Sequence, residues 1–194
     1  MERIVVFLDY ANLNASARSL RCEIDHGELL NYLADQNEGR FLQAAFAYVP
    51  KDPRQEHAQD GVINELWSKG YVVKSKVGTI AGPSYKCDFD VEITLDIAKA
   101  AYEIKPDVVV LISGDSDFIP VVLDLRDKGI RVEVASFGCS MSGLLSNRCS
   151  GFINLDFLLD EAEQQPIAYE EDLDQQEPPQ PEAEYEIEDI DEAE

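Results

Sequence analysis

Residues 108–126, VVVLISGDSDFIPVVLDLR, constrain the fold of this chain more than any other stretch. The unbroken run from Val108 to Ile112, mostly β-branched, has the pattern of a strand buried on both faces of a parallel sheet. Ser113-Gly114-Asp115-Ser116-Asp117 interrupts it, and Val121, Val122 and Leu125 then fall on one helical face. A strand passing directly into a helix is the unit of an open α/β sheet, whose ligands gather at the carboxyl ends of the strands. Asp115 and Asp117 lie at that junction. Carboxylates so placed repel one another unless a cation or a proton lies between them. Gly114 and the small serines beside it, Ser113 among them, let backbone and ligand approach closely. An ordinary loop with Asp117 as a helix N-cap also accommodates these residues.

The rest of the chain repeats the alternation. Residues 4–8 are a second apolar run, closing on Asp9-Tyr10-Ala11-Asn12. Asp25-x-x-Glu28 has the form of a capping box ahead of Leu29, Leu30 and Leu33. A strand over 41–49 ends at Pro50, and a helix over 55–69 is stopped by Gly70. A short strand over 71–76 and a glycine-containing loop over 77–85 follow. The segment Lys86-Cys87-Asp88-Phe89-Asp90-Val91 opens a helix reaching about residue 102. Beyond the segment at 108–126, Gly129 suits the end of its helix. A strand over 130–135, a short helix within 140–148, a small strand over 152–155 and a last helical turn over 156–161 complete the body. Strand and helix in regular order predict an α/β three-layer sandwich around a central parallel sheet.

Charge separates a second region. Of 39 acidic residues, fifteen fall in 161–194, and none of the 16 basic ones does; the whole chain carries −23, and residues 1–160 only −8. The segment also holds Gln-Gln-Pro and Glu-Pro-Pro-Gln-Pro, a composition that predicts a disordered acidic tail after a domain at 1–160. Such a tail serves as a solubilising segment, a partner-binding segment or a mimic of nucleic acid. The four cysteines form no C-x-x-C pair and there are two histidines, His26 and His57, so a structural zinc site is not expected. The apolar run at the start is too short for a signal peptide or a membrane span, which predicts a cytoplasmic protein.

Acidic side chains recur at comparable places: Asp9 after the first strand, Asp88, Asp90 and Asp96 on the helix before the central strand, and Asp115 and Asp117 after it. If the strands at 4–8 and 108–112 are neighbours, Asp9 and Asp115 face one crevice. Asp96 stands about 240° around a helix from Asp90 and reaches the same site only if Asp90 precedes the helix proper. Asp88 or Asp90 also reads as a plain N-cap. Oxygen ligands without His or Cys suit Mg²⁺ or Mn²⁺, which orient water and stabilise phosphoryl charge. No phosphate-binding lysine loop, G-x-G-x-x-G motif, Ser-His-Asp set or Asp-x-Asp-x-Thr phosphatase motif accompanies them.

IVVFLDYANLN, KCDFDVEITLD and VVVLISGDSDFIPVV together resemble the signature blocks of the NYN domain, a PIN-like nuclease family, and within it the LabA-like group. The resemblance covers about residues 3–158. It implies a parallel sheet of about five strands in the order 3-2-1-4-5 and a metal-dependent ribonuclease site. It places Asp9 and Asn12 there from the first block, Asp90 and Asp96 from the second, and Asp115 and Asp117 from the third. The catalytic set so implied is Asp9, Asp90, Asp96, Asp115 and Asp117, with Asp9, Asp90, Asp115 and Asp117 holding Mg²⁺ or Mn²⁺.

RNA is then the expected substrate, against the handicap that an acidic chain repels a polyanion. Basic residues do concentrate in the middle of the chain, at Lys51, Arg54, Lys69, Lys74, Lys76 and Lys86. Lys51, Lys86 and Arg148 are candidate phosphate contacts, with Asn12 and Ser113 beside the acids, and Tyr10 and Tyr85 candidate base-stacking groups. A regulatory protein that keeps the acidic pocket but acts on gene expression through protein partners, with the tail as its interaction segment, is the alternative from a different class.

Overall fold

The fold follows from how two apolar strands distribute their side chains. In the computed structural model, which describes residues 1–159, β1 (Glu2–Asp9) and β6 (Val108–Ile112) are parallel neighbours, with Leu8 opposite Ile112. Alternate side chains enter opposite cores: Ile4, Val6, Leu8, Val108, Val110 and Ile112 face one layer of helices, and Val5, Phe7, Val109 and Leu111 the other. Both strands are therefore buried on both sides, which is why neither shows a polar alternation.

The first layer contains α1 (Tyr10–Ser19), α2 (His26–Leu33) and α3 (Asp60–Ser68), through Leu13, Leu29, Leu33 and Leu66. The second contains α4 (Asp90–Glu103), α5 (Ile119–Asp127) and the short α6 (Gly143–Ser146), through Ile93, Ile97, Val122, Leu125 and Leu145. Between them lie β2 (Arg40–Lys51), β3 (Val72–Val77), β7 (Arg131–Ser136) and β8 (Gly151–Asn154), giving a six-stranded sheet in the order β3-β2-β1-β6-β7-β8. Every pairing in it is parallel. The expected order 3-2-1-4-5 holds, and β8 adds a sixth strand beside β7.

Local signals set most boundaries. Asp25 caps α2 by accepting from the backbone N–H groups of Gly27 and Glu28. Gly129, at φ +77°, follows the last turn of α5. Two segments differ from the sequence reading. The loop over 77–85 contains a hairpin, β4 (Thr79–Ala81) and β5 (Ser84–Lys86), turning at Gly82 with φ +62°. Its strands sit outside the main sheet with Ile80 exposed, so no core-facing periodicity marks them. The helix expected over 55–69 starts at Asp60, because 55–59 are taken up by turns. The expectation for residues 161–194 lies outside the described residues. Among the described residues, no helix is long and apolar enough to cross a membrane.

Candidate active site

The register of β1 and β6 builds the site. One residue beyond the Leu8–Ile112 pair stand Asp9 and Ser113, and the Ser113 hydroxyl donates to Asp9 Oδ2 at 3.1 Å. The other oxygen of Asp9 accepts from the Asn12 N–H at 3.2 Å, so Asp9 is also the N-cap of α1. Asn12 crosses in turn to the next loop, its Oδ1 accepting from the Gly114 N–H at 3.0 Å. Asp115 N–H donates to Ser113 Oγ at 3.3 Å, and Asp115 Oδ1 accepts from the Asp117 N–H at 2.9 Å. The cap of the turn after β6 is therefore Asp115, and the expectation of Asp117 in that role is corrected.

Gly114 is required by proximity. A Cβ there would stand 2.0 Å from the carbonyl oxygen of Ser140, while the Gly114 carbonyl accepts from the Ser142 N–H at 3.1 Å. Ser140 Oγ donates to Ser16 Oγ of α1 at 2.6 Å. Small polar residues thus clamp the loops after β1, β6 and β7 together beneath the acids.

Asp9, Asn12, Asp88, Asp90 and Asp115 line one cleft of about 210 Å³, with Ala11, Cys87 and Phe89. Asp90 is the first residue of α4, behind a Phe89 cap that makes no side-chain bond. Neither Asp88 nor Asp90 is an N-cap, which corrects that reading and leaves Asp90 facing the cleft. Burial pushes the Asp9 carboxyl up to about 6, against the two hydrogen bonds it accepts, and the charges of Asp90 and Asp115 add to the rise. Asp90 is raised too, by burial and then by Asp115, Asp88, Asp117 and Glu92. Among the described residues no Lys, Arg or His forms an ion pair with Asp9, Asp90, Asp115 or Asp117.

The donor set of the cleft is carboxylate and amide oxygen, the chemistry of a hard divalent cation. Among the described residues no group of three or more His, Cys, Asp or Glu side chains is placed to hold a metal ion between them. Acids spread along a cleft wall fit an ion such as Mg²⁺, which commonly takes one or two protein carboxylates and completes its shell with water and substrate phosphate.

The other expected site residues do not line this cleft. Asp96 is not brought to this cleft. Two turns along α4, it accepts from the Tyr48 hydroxyl at 2.7 Å and from Lys74 Nζ at 2.5 Å, with Lys99 at 3.8 Å. Burial alone would raise Asp96, but these bonds and charges outweigh it and hold the carboxyl below its ordinary range. Ser113 is 1% exposed, so it holds Asp9 and the Asp115 backbone and does not meet a substrate. Lys51 is engaged by Asp60 at 2.8 Å. Lys86 is exposed near Asp88, and Arg148 donates to the Leu144 carbonyl. Tyr10 is buried against α2 and cannot stack on a base. Tyr48 was not legible as part of any site, because its phenol meets Asp96 only through the packing of β2 against α4.

The signature of the NYN domain matches residues 3–156. The chain belongs to the NYN domain family. Along 161 residues it is 28% identical to the Low amplitude and bright protein LabA of Synechococcus elongatus, an overlap spanning 79% of this chain and 84% of that protein. It is also similar to the crystal structure of a protein of unknown function from Vibrio parahaemolyticus, with a TM-score of 0.68, 27% identity, and coverage of 81% of this chain and 95% of that one. The family match spans the three segments that carry Asp9, Asp90 and Asp115.

Proposed function

We propose that this NYN domain is a metal-dependent ribonuclease acting at the cleft of Asp9, Asp90 and Asp115. The observation that carries the reading is that three carboxylates share one cleft without an ion-pair partner among the described residues, two of them, Asp9 and Asp90, raised by burial and by neighbouring carboxylates. That arrangement costs stability in the metal-free protein, and charge neutralisation by a bound cation offsets the cost. One or two of Asp9, Asp90 and Asp115 would hold Mg²⁺ or Mn²⁺ directly and the rest through its water shell, with Asp117 at the rim. Such an ion supplies a nucleophilic water at neutral pH and neutralises charge on the phosphoryl oxygens. Ser113 and the Asn12 backbone fix the Asp9 carboxylate, and Asn12 ties the loop bearing Asp115 to α1. The chain's own contribution is placement, with two acids set by strand ends and one by a helix start, all on rigid elements.

The test is cleavage of a labelled single-stranded RNA by the full chain in Mg²⁺ or Mn²⁺ and in EDTA. Cleavage that requires the metal supports the reading, and absence of metal-dependent cleavage on every RNA tried contradicts it. The similarity to LabA and the net charge of −23 favour a second reading, a cytoplasmic regulator of gene expression that uses the acidic segment 161–194 to engage a protein partner. Capture of a protein partner by the intact chain without RNA cleavage would favour that one.

A further inference from the structure

On the far side of Phe89 from the acids lies a larger cleft, about 390 Å³, lined by Lys74, Lys76, Lys99, Leu95, Glu92 and Asp96, with Phe89 and Ser75 completing it. Phe89 lines both clefts. Lys76 also borders a third depression, which contains Lys86, Cys87 and Asp88 and so runs back to the acidic cleft. The three adjoin through these shared residues beside the edge strand β3 and α4, with the lysines gathered in the largest of them.

Its chemistry is that of a site for a flat apolar group joined to an anion. The open apolar surface comes from Leu95, which is 53% exposed, while Phe89 is a buried wall shared with the acidic cleft. The cations are held in position. Lys74 Nζ binds Asp96 and stands 5.7 Å from the Phe46 ring centre and 5.9 Å from that of Tyr48. Lys76 pairs with Glu92 and stands 4.7 Å from the Phe89 ring centre. An ammonium has three donors, and the side chains of Lys74, Lys76 and Lys99 keep 41%, 39% and 64% of their surface open to solvent. Three cations against the two acids of this cleft leave an excess positive charge in a chain that is otherwise strongly negative.

We infer that this lysine-lined cleft is a nucleotide subsite for single-stranded RNA, seating one base against Leu95 and its phosphate at Lys74, Lys76 and Lys99. The inference rests on the ribonuclease reading and names the path of its substrate: the strand leaves the acidic cleft past Phe89 and follows α4. A base presents its face to such a wall only when unpaired, so the subsite selects single strands over duplex. Each lysine that meets a phosphate contributes to the salt dependence of binding.

The experiment is fluorescence-anisotropy binding of the full chain to a labelled twelve-nucleotide oligouridylate, and to a duplex of equal length, in EDTA so that cleavage plays no part. Lys99→Glu and Leu95→Glu, both at exposed positions, are each expected to weaken single-strand binding by about tenfold or more. Lys99→Ala should lower the slope of log affinity against log salt by roughly 0.7, one phosphate contact. Arg18→Glu, on the opposite helical layer, is the charge control and should weaken binding by less than about twofold. Wild-type affinity retained by both cleft variants overturns the subsite, as does equal weakening by Arg18→Glu, duplex binding as tight as single-strand binding, or no wild-type binding at all. Cleavage in Mn²⁺, measured on the same proteins, reports separately on the acidic cleft, so the subsite can fail while the nuclease reading stands.

Discussion

Asp90 and Asp96 belong to one helix and stand six residues apart, yet the two clefts flanking α4 treat them in opposite ways. Asp96 is answered by the Tyr48 hydroxyl, Lys74 and Lys99, and its carboxyl is held below the ordinary range. Asp90 faces Asp9 and Asp115 with no ion-pair partner among the described residues, and its carboxyl is raised. The first arrangement is neutralised by lysines of the protein; the second has no such partner among the described residues. A family motif that includes both acids therefore covers two environments: Asp90 joins the acids that the proposed function assigns to a metal, and Asp96 positions Tyr48 and Lys74.

The sharpest way to break this comparison is to neutralise each side in turn. Asp9→Asn or Asp115→Asn should lower metal-dependent cleavage by at least about 10²-fold, the scale of a displaced catalytic geometry. Asp96→Asn, which still accepts from Tyr48, should lower it by less than about tenfold, in single-turnover cleavage of the same RNA. A loss at Asp96→Asn equal to that at Asp115→Asn would erase the distinction.

Acidity separates the sides next. The folded-state pKa of Asp9 is raised from 3.8 to about 6. Its contribution to stability is fully present below the unfolded value near 4 and is lost as the pH rises through about 6. The loss is on the order of 3 kcal/mol for a group this buried. Asp96 has the opposite sign: its contribution is present above the unfolded value and is lost as the pH falls through its lowered folded value. Urea unfolding in EDTA from pH 4 to pH 7 should show the Asp9 term in the wild type and not in Asp9→Asn. A smaller effect is expected at Asp96→Ala, which leaves the buried Tyr48 hydroxyl without its acceptor and should cost about 1–3 kcal/mol. Asp90→Ala removes only a repelled charge and should leave metal-free stability unchanged or slightly higher, by the same urea assay.

What the sequence made legible follows the same division. The strands of β1 and β6, the turn at Gly114 and the neighbouring acids Asp9 and Asp115 are written locally, in apolar runs and in the residues that end them. The strand order came with the family resemblance and holds in the structure. The pairing of Asp96 with Tyr48 and Lys74 depends on how β2, β3 and α4 pack, with partners 48 and 22 residues away in the chain. No local pattern encodes it. The same applies to Lys51, whose charge is taken by Asp60, and to Ser113, whose burial turned an expected substrate contact into a support for Asp9. The hairpin of β4 and β5 escaped because neither strand faces a core.

The most direct test of an acidic cleft that lacks a cation is the melting temperature of the full chain at neutral pH with millimolar Mn²⁺ and with EDTA. Binding to the native state alone at about ten times Kd is worth about 1.4 kcal/mol, a rise of roughly 2–4 °C per kcal/mol for a domain of this size. The wild type should show that rise. Asp115→Asn should melt higher than the wild type in EDTA and gain little from the metal. An unchanged melting temperature in the wild type, or a full rise retained when Asp9 and Asp115 are both changed to Asn, would contradict the account.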